Sequence, residues 1–218
     1  MVAPVGRFFT NFDEAWEFFV DRETDLEDFF ARFPLDDHFL LGWLLPLDPG
    51  LRPAAANVQR SFSHLEWITP PPAHFLHVWL SIVSFATHRP TAGEIGSAVE
   101  AAERAWAGIA PFDLTYPRIN CFHDAVVAEA EGDGPRRLVS GLIEAGMSRV
   151  ELDTFLPHVT LGTFNAPHEP TPLREVLVPQ RETALGDQHV ATATLCLMPG
   201  SRTTILEPWE VVGSVAFG

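Results

Sequence analysis

Two short stretches of this chain carry a histidine on a strand-like alternation, His77-Val78-Trp79-Leu80 and Pro157-His158-Val159-Thr160-Leu161-Gly162. In an extended strand, neighbouring side chains point to opposite faces, so Val159 and Leu161 enter a core while His158 and Thr160 share the other side. By the same rule His77, Trp79 and Ser81 share one face of the first stretch. An imidazole can carry a proton and a hydroxyl can donate to a phosphoryl oxygen, a combination that becomes useful when a second proton carrier stands across the substrate. One His-x-Thr alone describes a half-buried polar residue on a strand. Two histidine strands, one in each half of the chain and each approached through proline, Pro70-Pro71-Pro72 and Pro157, point to a paired acid and base.

The remaining polar residues carry less. His74 and His77 are three apart, but the preceding prolines argue against the helix that would make them a metal pair, so no metal site is expected. His38, His64, His88, His123, His168 and His189 have no repeated context and read as surface or satisfied polar residues. Asp13, Glu14, Asp21, Asp25, Glu27 and Asp28 read as a solvated face. No Gly-rich phosphate loop, Gly-x-Ser-x-Gly elbow or His-Glu-x-x-His is present, so triphosphate, esterase and zinc-protease chemistries have no motif behind them. Cys121 and Cys196 read as buried thiols, and the sequence leaves open a bridge between them.

The elements that must hold the two histidine strands follow from pattern. Asn11 caps a helix over about 12–20, and a second acidic and aromatic segment, 25–33, repeats the pattern and stops at Pro34. An apolar run over 39–47 reads as a buried strand, a short helix follows over 52–59, and a brief strand, 65–68, precedes the proline run and the His77–Phe85 strand. Thr91 and Glu94 form a capping box for a helix reaching about Gly108. Strands are expected over 112–119 and 125–130, a helix from Pro135 to Gly146, a short helix near 173–176, and closing strands over 189–198 and 208–217.

At 218 residues with 46% apolar content, the chain can bury a sizeable core. No run of eighteen apolar residues and no secretory leader is legible, so a cytoplasmic protein with no membrane partner is expected. The formal net charge is −15 and every basic residue is arginine. That balance disfavours binding to duplex DNA or long nucleic acid, though a small nucleotide held locally is compatible with it. The lack of lysine beside abundant Ala, Pro and Arg matches a GC-rich bacterial genome.

From about Phe39 to the end, the order and spacing of Trp67-Ile68-Thr69-Pro70-Pro71, His77, Pro111-Phe112-Asp113-Leu114 and Phe155-Leu156-Pro157-His158-Val159-Thr160-Leu161-Gly162 resemble the 2H phosphoesterase superfamily, most closely its 2′-5′ RNA ligase and cyclic phosphodiesterase branch. That family carries two His-x-Thr/Ser motifs. The resemblance implies an α+β fold of two pseudo-symmetric lobes, with antiparallel sheets facing across a central cleft and helices outside. It leaves residues 1–36 as a helical N-terminal extension and 37–218 as one bilobal domain. It implies a metal-independent and cofactor-free phosphodiesterase for 2′,3′-cyclic or 2′-5′-linked ribonucleotides, with His77, His158 and Thr160 catalytic, and a small nucleotide or RNA end as partner. Trp79 stands where the family has Thr or Ser. Trp79 then stacks a base, with the hydroxyl's task passed to Ser81 or dropped, or the chain is a weakened or non-catalytic nucleotide-binding relative.

Overall fold

The structure is a computed structural model and describes residues 9–29, 38–148, 150–200 and 209–218. Its architecture is α+β. Most strands lie in one eight-stranded antiparallel sheet, and the helices pack outside it.

The sheet is built from two four-stranded halves. The first contains β1 (Phe39–Pro46), β3 (His77–Ala86), β9 (Thr192–Pro199) and β10 (Glu210–Ala216), in the order β10-β9-β1-β3. The second contains β2 (Ile68–Thr69), β5 (Ile119–Cys121), β6 (Ala125–Glu129) and β7 (His158–Phe164). Here β7 lies between β6 and β2, and β6 continues to β5. The halves are hydrogen-bonded at a single position, Val78 of β3 opposite Val159 of β7. A separate two-stranded sheet pairs β4 (Phe112–Tyr116) with β8 (Gly186–Val190).

The helices are α1 (Phe12–Asp21), α2 (Arg52–Ser61), α3 (Ala92–Ala105), α4 (Gly134–Glu144) and α5 (Thr171–Leu177). Asn11 accepts from the Glu14 N–H at the start of α1, and Thr91 and Glu94 close the expected capping box of α3. The core between sheet and helices contains Trp43, Leu45, Val78, Leu80, Val159 and Leu161, all buried. No helix among the described residues is long and apolar enough to cross a membrane.

Three expectations change. The single strand expected over 112–119 is two, because Pro117 has no N–H to continue a ladder; β4 goes to the small sheet and β5 to the large one. The run over 189–198 is likewise split, between β8 and β9, at Ala191, whose carbonyl accepts from Phe217 N–H instead. The strand expected over 65–68 shrinks to Ile68–Thr69. Of the second N-terminal helix expected over 25–33, residues 30–33 lie outside the described residues; residues 25–28 are not helical, because Leu26 bridges to His168 instead. Cys121 and Cys196 are buried free thiols, as expected.

Candidate active site

The site is set by the two central strands. Around the paired Val78 and Val159, both fully buried, the flanking residues turn the other way. Extending the antiparallel register by one residue sets His77 beside Thr160 and Trp79 beside His158. A cleft of about 270 Å³ opens on that face, lined by His77, Trp79, His158 and Thr160 together with Thr163, Ile82, Phe75, Pro71, Leu40, Met198, Trp209 and Phe29.

Both motif strands carry a bulge just beyond the motif. In β3, Trp43 faces Ser81 and Leu44 faces Trp79, so Leu80 is an extra residue; in β7, Val126 faces Gly162 and Val127 faces Thr160, so Leu161 is extra. One extra residue reverses the alternation. Ser81, expected on the cleft face with His77, is therefore fully buried, and its hydroxyl reaches only the Ile82 carbonyl at 3.4 Å. Ile82 faces the cleft in its place. In β7 the same inversion brings Thr163 into the cleft. The two halves thus present matched triplets with the same spacing: His77, Trp79 and Ile82 in one, His158, Thr160 and Thr163 in the other. One triplet is apolar beyond its histidine and the other bears hydroxyls, so the cleft has an apolar side and a polar side.

The imidazoles are held alike. His77 Nδ1 donates to the Phe75 carbonyl and His158 Nδ1 donates to the Leu156 carbonyl at 2.6 Å. A carbonyl only accepts, so each Nδ1 carries the hydrogen and each Nε2 is left to exchange protons. Burial lowers both pKa values. His77 falls to about 4, mostly by loss of hydration, with the nearby His158 lowering it further against the opposing Phe75 carbonyl. His158 is also lowered by burial, but the Leu156 carbonyl and the Asp124 carboxylate oppose the shift. Asp124 thus favours the cation at His158, whereas His158 disfavours it at His77.

Trp79 is fitted into the fold. Its indole lies over Gly42 of β1, where an added Cβ would stand 2.4 Å from Trp79 Cζ2. It packs with Leu40, Met198 and Trp209, and the two indole rings meet edge to face at 5.6 Å and 86°. Trp209 also lies 4.5 Å from the His77 ring. Sequence reasoning missed Trp209, Met198, Leu40 and Phe29, which come from segments far from either motif.

His74 is exposed in a 3₁₀ turn over Ala73–Phe75, consistent with a loop histidine. Among the described residues, no group of three or more His, Cys, Asp or Glu is placed to hold a metal ion.

No protein-family model matches the chain, and no curated protein matches it. Solved structures do. TT0787 of Thermus thermophilus has a TM-score of 0.63 at 21% identity, over 82% of this chain and 97% of that one. LigT of E. coli, in a complex with NADP+, has a TM-score of 0.63 at 17% identity, over 83% of this chain and 98% of that one. ATU0111 of Agrobacterium tumefaciens, a conserved protein of unknown function, has a TM-score of 0.62 at 11% identity, over 86% of this chain and 91% of that one. At these identities the likeness is one of fold.

Proposed function

We propose, from the 2H phosphoesterase-like fold as premise, that the chain is a cytoplasmic, metal-independent phosphodiesterase for 2′,3′-cyclic or 2′-5′-linked ribonucleotide ends, working by paired-histidine acid–base catalysis. The observation that carries this reading is two imidazoles, each tethered through Nδ1, lining one cleft with the Thr160 hydroxyl. His77, with its pKa near 4, is unprotonated at neutral pH and suits the base. Its Nε2 takes a proton from water as the water oxygen bonds to phosphorus. His158, favoured as a cation by Asp124, gives its Nε2 proton to the departing ribose oxygen. Thr160 donates to a non-bridging phosphoryl oxygen as charge grows there. The apolar side, Trp79 with Trp209 and Ile82, receives the base; such stacking contributes roughly 1–3 kcal/mol. E. coli LigT, of the same fold, forms complexes with phosphate and with 3′-AMP, which supports a small nucleotide as ligand.

A second reading is a non-catalytic nucleotide-binding protein. The apolar triplet of the first half, where Trp79 and Ile82 stand against two threonines, favours it. Hydrolysis of 2′,3′-cyclic mononucleotides by wild type, His77→Ala, His158→Ala and Trp79→Thr separates the two. The enzyme reading expects wild-type turnover and a loss of roughly 10²–10⁴ in rate for either alanine variant. Turnover gained only in Trp79→Thr would identify a decayed enzyme. If all four are inert and none binds nucleotide, phosphodiester chemistry is the wrong reading.

A further inference from the structure

We propose that the N-terminal segment, residues 9–29, is a positioning element for His158, acting through Phe122. The inference rests on His158 being the proton carrier proposed above. Phe122 sits in the loop between β5 and β6, and its ring meets the His158 imidazole at 4.9 Å and 83°, an edge-to-face contact. The ring is backed from the N-terminal segment by Phe12, stacked at 6.3 Å and 5°, and by Phe9, stacked at 6.0 Å and 29°. The same loop is held from its other end, because Glu27 N–H donates to the His123 carbonyl at 2.7 Å. That loop also carries Asp124, the carboxylate that acts on His158.

The segment is anchored independently of these rings. Asn120 Nδ2 donates to the Phe12 carbonyl at 2.8 Å, Leu26 N–H donates to the His168 carbonyl at 2.7 Å, and Arg174 Nε donates to the Phe19 carbonyl at 3.0 Å. The segment then reaches the cleft itself, where Phe29 forms part of the wall. A segment anchored in this way and pressed against the loop behind a catalytic imidazole does what a supporting shell does. It fixes the ring's orientation and keeps water from its buried side. Phe122 is thus a positioning residue, and Phe9 and Phe12 are its support.

The test uses the full chain, with two readouts: the NMR titration of the His158 ring and steady-state hydrolysis of a 2′,3′-cyclic mononucleotide. Among the described residues, the charged and titratable groups bearing on His158 are Asp124, which His123 approaches to 3.5 Å, together with His77 and Glu129, the residue opposite His158 on β6, itself held by Arg118 and Arg181; all remain in every variant. Phe122→Leu and Phe12→Ala are expected to raise the His158 midpoint toward its ordinary value of 6.5 as water enters. They are expected to lower kcat by roughly 10–100-fold with KM little changed. Phe122→Tyr, which keeps the ring, is expected to restore both. Val215→Ala, at a buried position of β10 in the other half, is the control that loosens the fold without touching this shell. If Phe122→Leu and Phe12→Ala leave the midpoint and kcat where the control leaves them, the segment is merely structural and the inference falls. If wild type has no turnover, the proposed function fails, and the titration alone decides whether the segment positions His158.

Discussion

At the scale of residues, the site is two imidazoles made unlike by their surroundings. The proposed mechanism needs His77 unprotonated, so its rate rises as pH increases through about 4, and it needs His158 protonated, so its rate falls as pH passes through a value below the ordinary 6.5. A bell with its maximum at mildly acidic pH is the expected kcat/KM profile. The limbs belong to the coupled pair. His158→Ala should remove the falling limb along with most of the rate; a wild-type profile still rising at about pH 8 would show that His158 is not the acid. Much of this site is legible from residue type and spacing alone. His77, His158, Thr160 and Trp79 line one cleft because alternation around a buried valine is a short-range rule that a sequence obeys visibly.

At the scale of elements, that rule breaks at the bulges. Each bulge adds one residue opposite the neighbouring strand, at Leu80 and at Leu161; nothing in Trp-Leu-Ser announces the first, and Gly162 is the single hint of the second. Simple alternation therefore puts Ser81 in the cleft, where it is in fact buried, and leaves out Ile82 and Thr163, which line it. Trp209, Met198 and Leu40 are illegible for a different reason, since their approach to Trp79 depends on which strands pair across the whole chain. What the sequence does hold is Gly42 beneath the Trp79 indole, where any side chain would meet the ring. Gly42→Ala drives a methyl into Trp79 and should cost about 1–3 kcal/mol. Adding Trp79→Thr should recover most of that loss, giving a strong coupling in a double-mutant cycle read by urea melts. Additive losses would mean the indole is not seated on Gly42.

At the scale of the whole molecule, a net charge of −15 surrounds a cleft proposed to take an anion. Like charges slow encounter, and salt screens them, so kcat/KM for a cyclic nucleotide should rise by a factor of about two to five as ionic strength goes from roughly 10 to 150 mM. A fall would reveal a local positive field that outweighs the total. The other whole-molecule property is the way the halves are threaded. The second half draws β2, β5, β6 and β7 from the middle of the chain, whereas the first joins β1 and β3 to β9 and β10, pairing Phe39 with Pro199 and Leu40 with Met198. A chain emerging from a ribosome therefore offers every strand of the His158 half before β9 exists. The His77 half must wait, with one edge of β1 unpaired, for the last strands to be made. The order of synthesis delays the apolar wall to the end: until Trp209 has been translated, a nascent chain carries both histidines but only part of the surface that would receive a base.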